Sequence, residues 1–103
     1  MGLSVVLESE RGESLDRFDD EKNLFHRFLP NPEDTTTYQL IRFVDWYGDT
    51  VFNRPQMDAL LVDLKKLATA VKTEEEMELL RRIIHFAHRV KEEPHLYLKF
   101  YGD

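Results

Sequence analysis

The sequence predicts an α+β fold: a small, mainly antiparallel sheet of three or four strands with an antiparallel helical hairpin packed on one face. Three observations carry this expectation. Residues 3–8 and Leu96–Tyr101, near the two ends of the chain, have the alternation and β-branched or aromatic content of strands. Two apolar stripes at helical spacing fill most of the second half, each headed by a capping box. One or two residues are expected between those stripes, which would force the helices to fold back on each other.

The elements follow in order. Leu3, Val5, Val6 and Leu7 make the first strand. Glu10, Arg11, Gly12 and Glu13 supply a turn, with Gly12 free to take positive φ. Residues 14–18 return as a second, polar strand whose apolar residues are Leu15 and Phe18. Asp19, Asp20 and Glu21 read as the cap and acidic first turn of a short helix carrying Leu24, Phe25 and Phe28 and stopping at Pro30. A loop rich in proline and threonine spans residues 30–37. Residues 38–47 fit two readings: aromatic and β-branched content favours a strand, while Leu40, Ile41, Val44 and Tyr47 also fit a helix face. Strand is the preferred reading, ended by Gly48 and Asp49.

Asn53-x-x-Gln56, with Pro55 in the first turn, opens a helix bearing Leu60, Leu64, Leu67 and Val71. Thr73-x-x-Glu76 opens another, bearing Met77, Leu80, Ile83, Ile84, Ala87 and Val90 and closed by Pro94. In the last strand Leu96, Leu98 and Phe100 share one face and Tyr97, Lys99 and Tyr101 the other. Leu64, Leu67, Leu80, Ile84 and Leu98 are expected in the core.

Length and charge bound the function. A chain of 103 residues, 42% of them hydrophobic, predicts one domain over residues 1–103 with a core of its own. The net charge is −6, and residues 1–34 hold nine acids against four bases. Nucleic acid and anionic membrane surfaces are therefore not expected partners. No apolar run reaches transmembrane length. The N-terminal stretch has Glu8, Glu10 and Glu13 where a signal peptide would have an apolar core. The chain has no cysteine, so no disulfide or thiolate site exists. A cytoplasmic location is the expectation.

Sites that could carry chemistry are few. His85 and His88, three apart, could present two imidazoles to a metal, but no third ligand stands near them in sequence and the two-histidine zinc-protease spacing is missing. Asp45 and Asp49 flank Gly48, beside Trp46 and Tyr47. Paired carboxylates can do acid–base work or hold a hard cation. Their spacing does not fit a calcium loop, and turn aspartates that bond backbone N–H groups are the simpler reading. Phosphate-binding, dinucleotide-binding and serine-nucleophile motifs are lacking. Neither a cofactor nor a metal is expected.

The stretch from Asp45 to Arg54, containing Tyr47-Gly48-Asp49-Thr50-Val51-Phe52-Asn53, and the ending Pro94 to Asp103 resemble a group of small uncharacterised bacterial proteins of about this length. The resemblance implies a bacterial, intracellular, single-domain protein and transfers no activity and no site residue. Proline is usual in that group where this chain has Trp46, which implies a structural turn there.

The leading expectation is a protein-interaction domain of the immunity or antitoxin type, inhibiting a basic partner. Glu10, Glu13, Asp16, Asp19 and Asp20 would steer that partner, and Trp46, Tyr97 and Tyr101 would anchor it. Two other classes stand beside it. One is a small metal-dependent or acid–base enzyme using Asp45, Asp49 and His85 or His88. The other is a structural or regulatory subunit that forms a homodimer through a sheet edge.

Overall fold

In a computed structural model, residues 2–34 and 36–102 are described; Met1, Thr35 of the expected loop and Asp103 of the C-terminal segment lie outside the described residues. Strands β1 (Ser4–Ser9), β2 (Ser14–Asp19), β3 (Asp49–Phe52) and β4 (Leu96–Tyr101) form one sheet in the order β2-β1-β4-β3, with every neighbouring pair antiparallel. Helices α1 (Met57–Leu67) and α2 (Glu74–Glu92) stand between β3 and β4 in sequence. This is the α+β arrangement expected. The chain ends pair at the centre of the sheet because β1 and β4 are its two most apolar strands.

The β1–β2 hairpin closes where Gly12 takes φ of 83°, a conformation that costs glycine little. Ser9 secures the turn, its hydroxyl oxygen accepting the Arg11 and Glu13 N–H groups at 3.3 and 3.2 Å. Alternation then sorts the residues. Val5, Leu7, Leu98 and Phe100 point to one face and meet Phe18, Phe52 and the helices in a single hydrophobic cluster. Helix α2 lies against β1 and β4, and α1 packs along α2.

Helix entry follows the sequence closely. Asn53 and Gln56 form the reciprocal box, but around a 3-10 turn (Arg54–Gln56) that leads into α1. At α2 the Thr73 hydroxyl accepts the Glu76 N–H at 3.1 Å, while the Glu76 carboxylate takes the Lys72 N–H rather than that of Thr73. Glu76 is thereby held in a buried position, with Arg27 at 3.5 Å.

Four expectations need correction. Residues 38–47 form neither the preferred strand nor a regular helix; they hold one 3-10 turn, Ile41–Phe43. The cause is Asp63 on α1, whose buried carboxylate accepts the N–H groups of Gln39, Leu40 and Ile41 at 3.1, 2.7 and 3.0 Å. Those donors are unavailable to a ladder. The remaining strand of the sheet, β3, instead starts at Asp49, where the sequence pattern predicts an end.

The expected helix after β2 shrinks to the 3-10 turn Phe25–Arg27. Asp20 does not sit in a helical first turn. Its buried carboxylate accepts the Leu24 and Phe25 N–H groups at 2.9 and 2.7 Å. The helices are joined by residues 68–73, longer than expected. Finally, Ile84 is only partly buried and packs on the rim of the cluster. The buried stripe of α2 runs through Leu79, Leu80, Ile83, Phe86, Ala87 and Val90, and Ile84 stands one helical step off it.

Candidate interaction surface

The helices cover one face of the sheet and leave the other open. The register orders that open face into three cross-strand rows. Asp19, Ser4, Tyr101 and Asp49 form the first, and Arg17, Val6, Lys99 and Val51 the second. Glu8 and Tyr97 form the third. The two central strands thus bring two tyrosines, a lysine and a glutamate together.

Their geometry is fixed by Glu8. Its carboxylate is almost fully buried, and it accepts the Lys99 ammonium at 3.1 Å and the Tyr101 hydroxyl. A buried carboxylate without such partners would be strongly unfavourable. Tyr101 stands opposite Ser4, two rows from Glu8, so its ring leans along the sheet to make this bond. Lys99 lies 5.5 Å from the centre of that ring. This canopy accounts for Val6, which is 1% exposed although it stands outside the main hydrophobic cluster. The Glu8 carboxylate beside them holds both the Lys99 ammonium and the Tyr101 hydroxyl above their ordinary pKa values.

A hollow of about 240 Å³ opens at one end of this face, lined by Glu8, Glu10, Gly12, Val51, Tyr97 and Lys99, with Ser9. Glu10 on its rim pairs with His95 at 3.0 Å. At the other end Asp19 is held by the Ser4 hydroxyl at 2.7 Å and by Arg17 at 2.9 Å, which keep its carboxyl below the ordinary value.

The structure divides the candidate partner-binding residues. Tyr97, Tyr101 and Asp19 lie on the open face and Glu10 on its rim, while Glu13 is exposed in the adjoining turn. Asp16 points elsewhere. It borders a different hollow, of about 320 Å³, with Arg81, Arg82 and His85. Asp20 is withdrawn from steering by its burial and its two backbone bonds. Trp46 is partly buried against His26 and Phe25, with ring centres 4.6 and 6.4 Å apart. Its backbone passes so close to Gly102 that a Cβ there would strike the Trp46 carbonyl.

Asp45, Asp49, His85 and His88 do not assemble. Asp45 accepts the Tyr47 N–H at 2.9 Å, the turn bond expected of it. Asp49 heads β3, His85 lines the hollow beside Asp16, and His88 is partly buried on α2. Among the described residues no group of three or more histidines and carboxylates is placed to hold a metal ion. No helix there is long and apolar enough to cross a membrane.

Sequence reasoning missed Glu8, Lys99, Val6 and Val51. The same-face grouping of Tyr97, Lys99 and Tyr101 was legible from alternation. Their link to Glu8 needed the β1–β4 register, which no local pattern encodes. Comparison with family models, curated proteins and solved structures gives no match.

Proposed function

We propose that this chain is a small acidic interaction domain whose open sheet face docks on a basic protein. The observation that supports the reading is the open face itself, where Tyr97, Tyr101 and Val51 surround an ion pair inside a rim of Glu10, Asp19 and Asp49, with Arg17 paired to Asp19. Tyrosines with an apolar ring and a polar tip are favoured interface anchors. Tyr101 is already tied to Glu8, so less side-chain freedom is lost when a partner covers it. The acidic rim attracts a basic surface over roughly a Debye length, about 8–10 Å, before contact. Inhibition of a basic toxin by masking its active site is one form this binding would take.

The test is capture of the partner from the source cell, its identification, and binding kinetics at two salt concentrations. Replacing Glu10, Glu13 and Asp19 by Lys should slow association and flatten its salt dependence. Tyr97→Ala should leave association nearly unchanged and raise the dissociation rate by roughly tenfold or more. A captured partner that is not basic, or kinetics indifferent to both variants, would reject the reading.

A further inference from the structure

We propose that the free edge of β3 receives an extended basic segment of a partner protein as a fifth strand. The inference rests on the interaction reading above and specifies how the partner is held. Gly102 N–H donates to the Gly48 carbonyl at 2.8 Å, in the register that continues as Asp49 opposite Tyr101. Ladder bonds alternate along antiparallel strands. Thr50 and Phe52 therefore turn their N–H and C=O groups toward β4, and Asp49 and Val51 turn theirs outward. Both residues are exposed, Val51 by 46%. Among the described residues no turn, loop or cap bond reaches the backbone of residues 49–52.

The opposite edge is treated differently. On β2 the same alternation, phased by Asp20 N–H to the Leu3 carbonyl, turns the Arg17 and Asp19 N–H groups outward. Asp16 covers the first of them, its carboxylate accepting the Arg17 N–H at 2.9 Å. A register irregularity between Leu7 and Glu8 and the charged side chains of Asp16, Arg17 and Asp19 further blunt that edge. β3 has no bulge, proline or basic residue. The β2 edge is thus blunted against added strands, while the β3 edge carries one charged side chain, Asp49, and no backbone cover.

Charge selects the occupant. An added strand would place alternate side chains over the open face, next to Val51 and Asp49. A second copy of this chain would bring its own Asp49 and acidic rim against the first, and the net charge of −6 opposes that approach. A segment with Lys or Arg alternating with β-branched residues meets Asp49 favourably while its backbone completes the outward groups.

The experiment pans a phage-displayed library of random seven-residue peptides on the intact chain and synthesises the tightest sequence. Recovered peptides should alternate basic and β-branched residues, and should slow amide exchange at Asp49 and Val51. Methylating the peptide's backbone nitrogens at one alternate set of positions should weaken binding about tenfold or more, through lost main-chain hydrogen bonds, whereas the other set should have little effect. This control needs no change to the protein. Val51→Pro should weaken binding similarly, because it removes an outward N–H without touching the β4 ladder. Absence of a peptide binder, protection confined to other amides, or indifference to both N-methylation sets would overturn the proposal. So would a homodimer that protects the same two amides. Should the captured partner still respond to the Glu10, Glu13 and Asp19 substitutions while Val51→Pro binds it normally, the edge inference alone fails. With no basic partner captured, the interaction reading fails.

Discussion

Two buried aspartates determine where the chain abandons regular structure. Asp63 and Asp20 each satisfy backbone N–H groups that would otherwise be unpaired in the interior, three for Asp63 and two for Asp20. In sequence Asp63 looks like an ordinary solvent-facing acid on a helix, and Asp20 like part of the cap and acidic first turn of a short helix that the structure reduces to a 3-10 turn. Asp63 lies within α1 and caps a segment more than twenty residues away, which local pattern reasoning has no means to see. Replacing Asp63 by Ala should destabilise the fold by about 2–4 kcal/mol, because several buried donors lose their acceptor at once. Asp20→Ala should cost less, about 1–2 kcal/mol, in the range of an ordinary cap. Urea denaturation measures both. Amide exchange should show Gln39, Leu40 and Ile41 opening first in Asp63→Ala. A loss below about 0.5 kcal/mol, the scale of a plain surface change, would contradict this role for Asp63.

At the scale of elements, the legible parts are those whose signal is local. Alternation gave both central strands, the capping residues marked both helix starts, and Gly12 marked the hairpin. β3 was missed because a four-residue edge strand following Gly48 has too little periodicity to stand out. The stripe of α2 was legible in outline but not in phase. Phe86 and Leu79 are buried while Ile84 sits at the rim, since the helix rolls to place Phe86 against Phe18, with ring centres 5.2 Å apart. Leu80→Ala should therefore cost about 2–5 kcal/mol through lost burial and cavity formation. Ile84→Ala should cost clearly less, as only part of its side chain leaves water. Chemical denaturation with equal losses for the two would place the stripe wrongly.

Across the whole molecule, charge links stability to pH in opposite directions at the two ends of the scale. Asp19, Asp34, Glu76 and Glu93 all have carboxyl pKa values held below the ordinary range. The Ser4 hydroxyl leads for Asp19, the Thr37 N–H for Asp34, the Lys72 N–H for Glu76 and the Arg89 guanidinium for Glu93. A depressed carboxyl contributes stability that is complete above its unfolded value and is lost as pH falls through the folded one. Melting temperature should accordingly drop on acidification below about pH 4. Lys99 and Tyr101 are shifted upward, each chiefly by Glu8. A raised group contributes stability that is complete below its unfolded value and is lost as pH rises through the folded one. Stability should thus fall again above about pH 10, where free lysine and tyrosine titrate. Glu8→Gln tests the alkaline limb. It removes the carboxylate that raises both groups, so it should flatten that limb relative to the parent chain. Thermal melts from pH 3 to 11 decide the matter: an alkaline limb of the same slope in parent and Glu8→Gln would show that the buried ion pair on the open face is not its source.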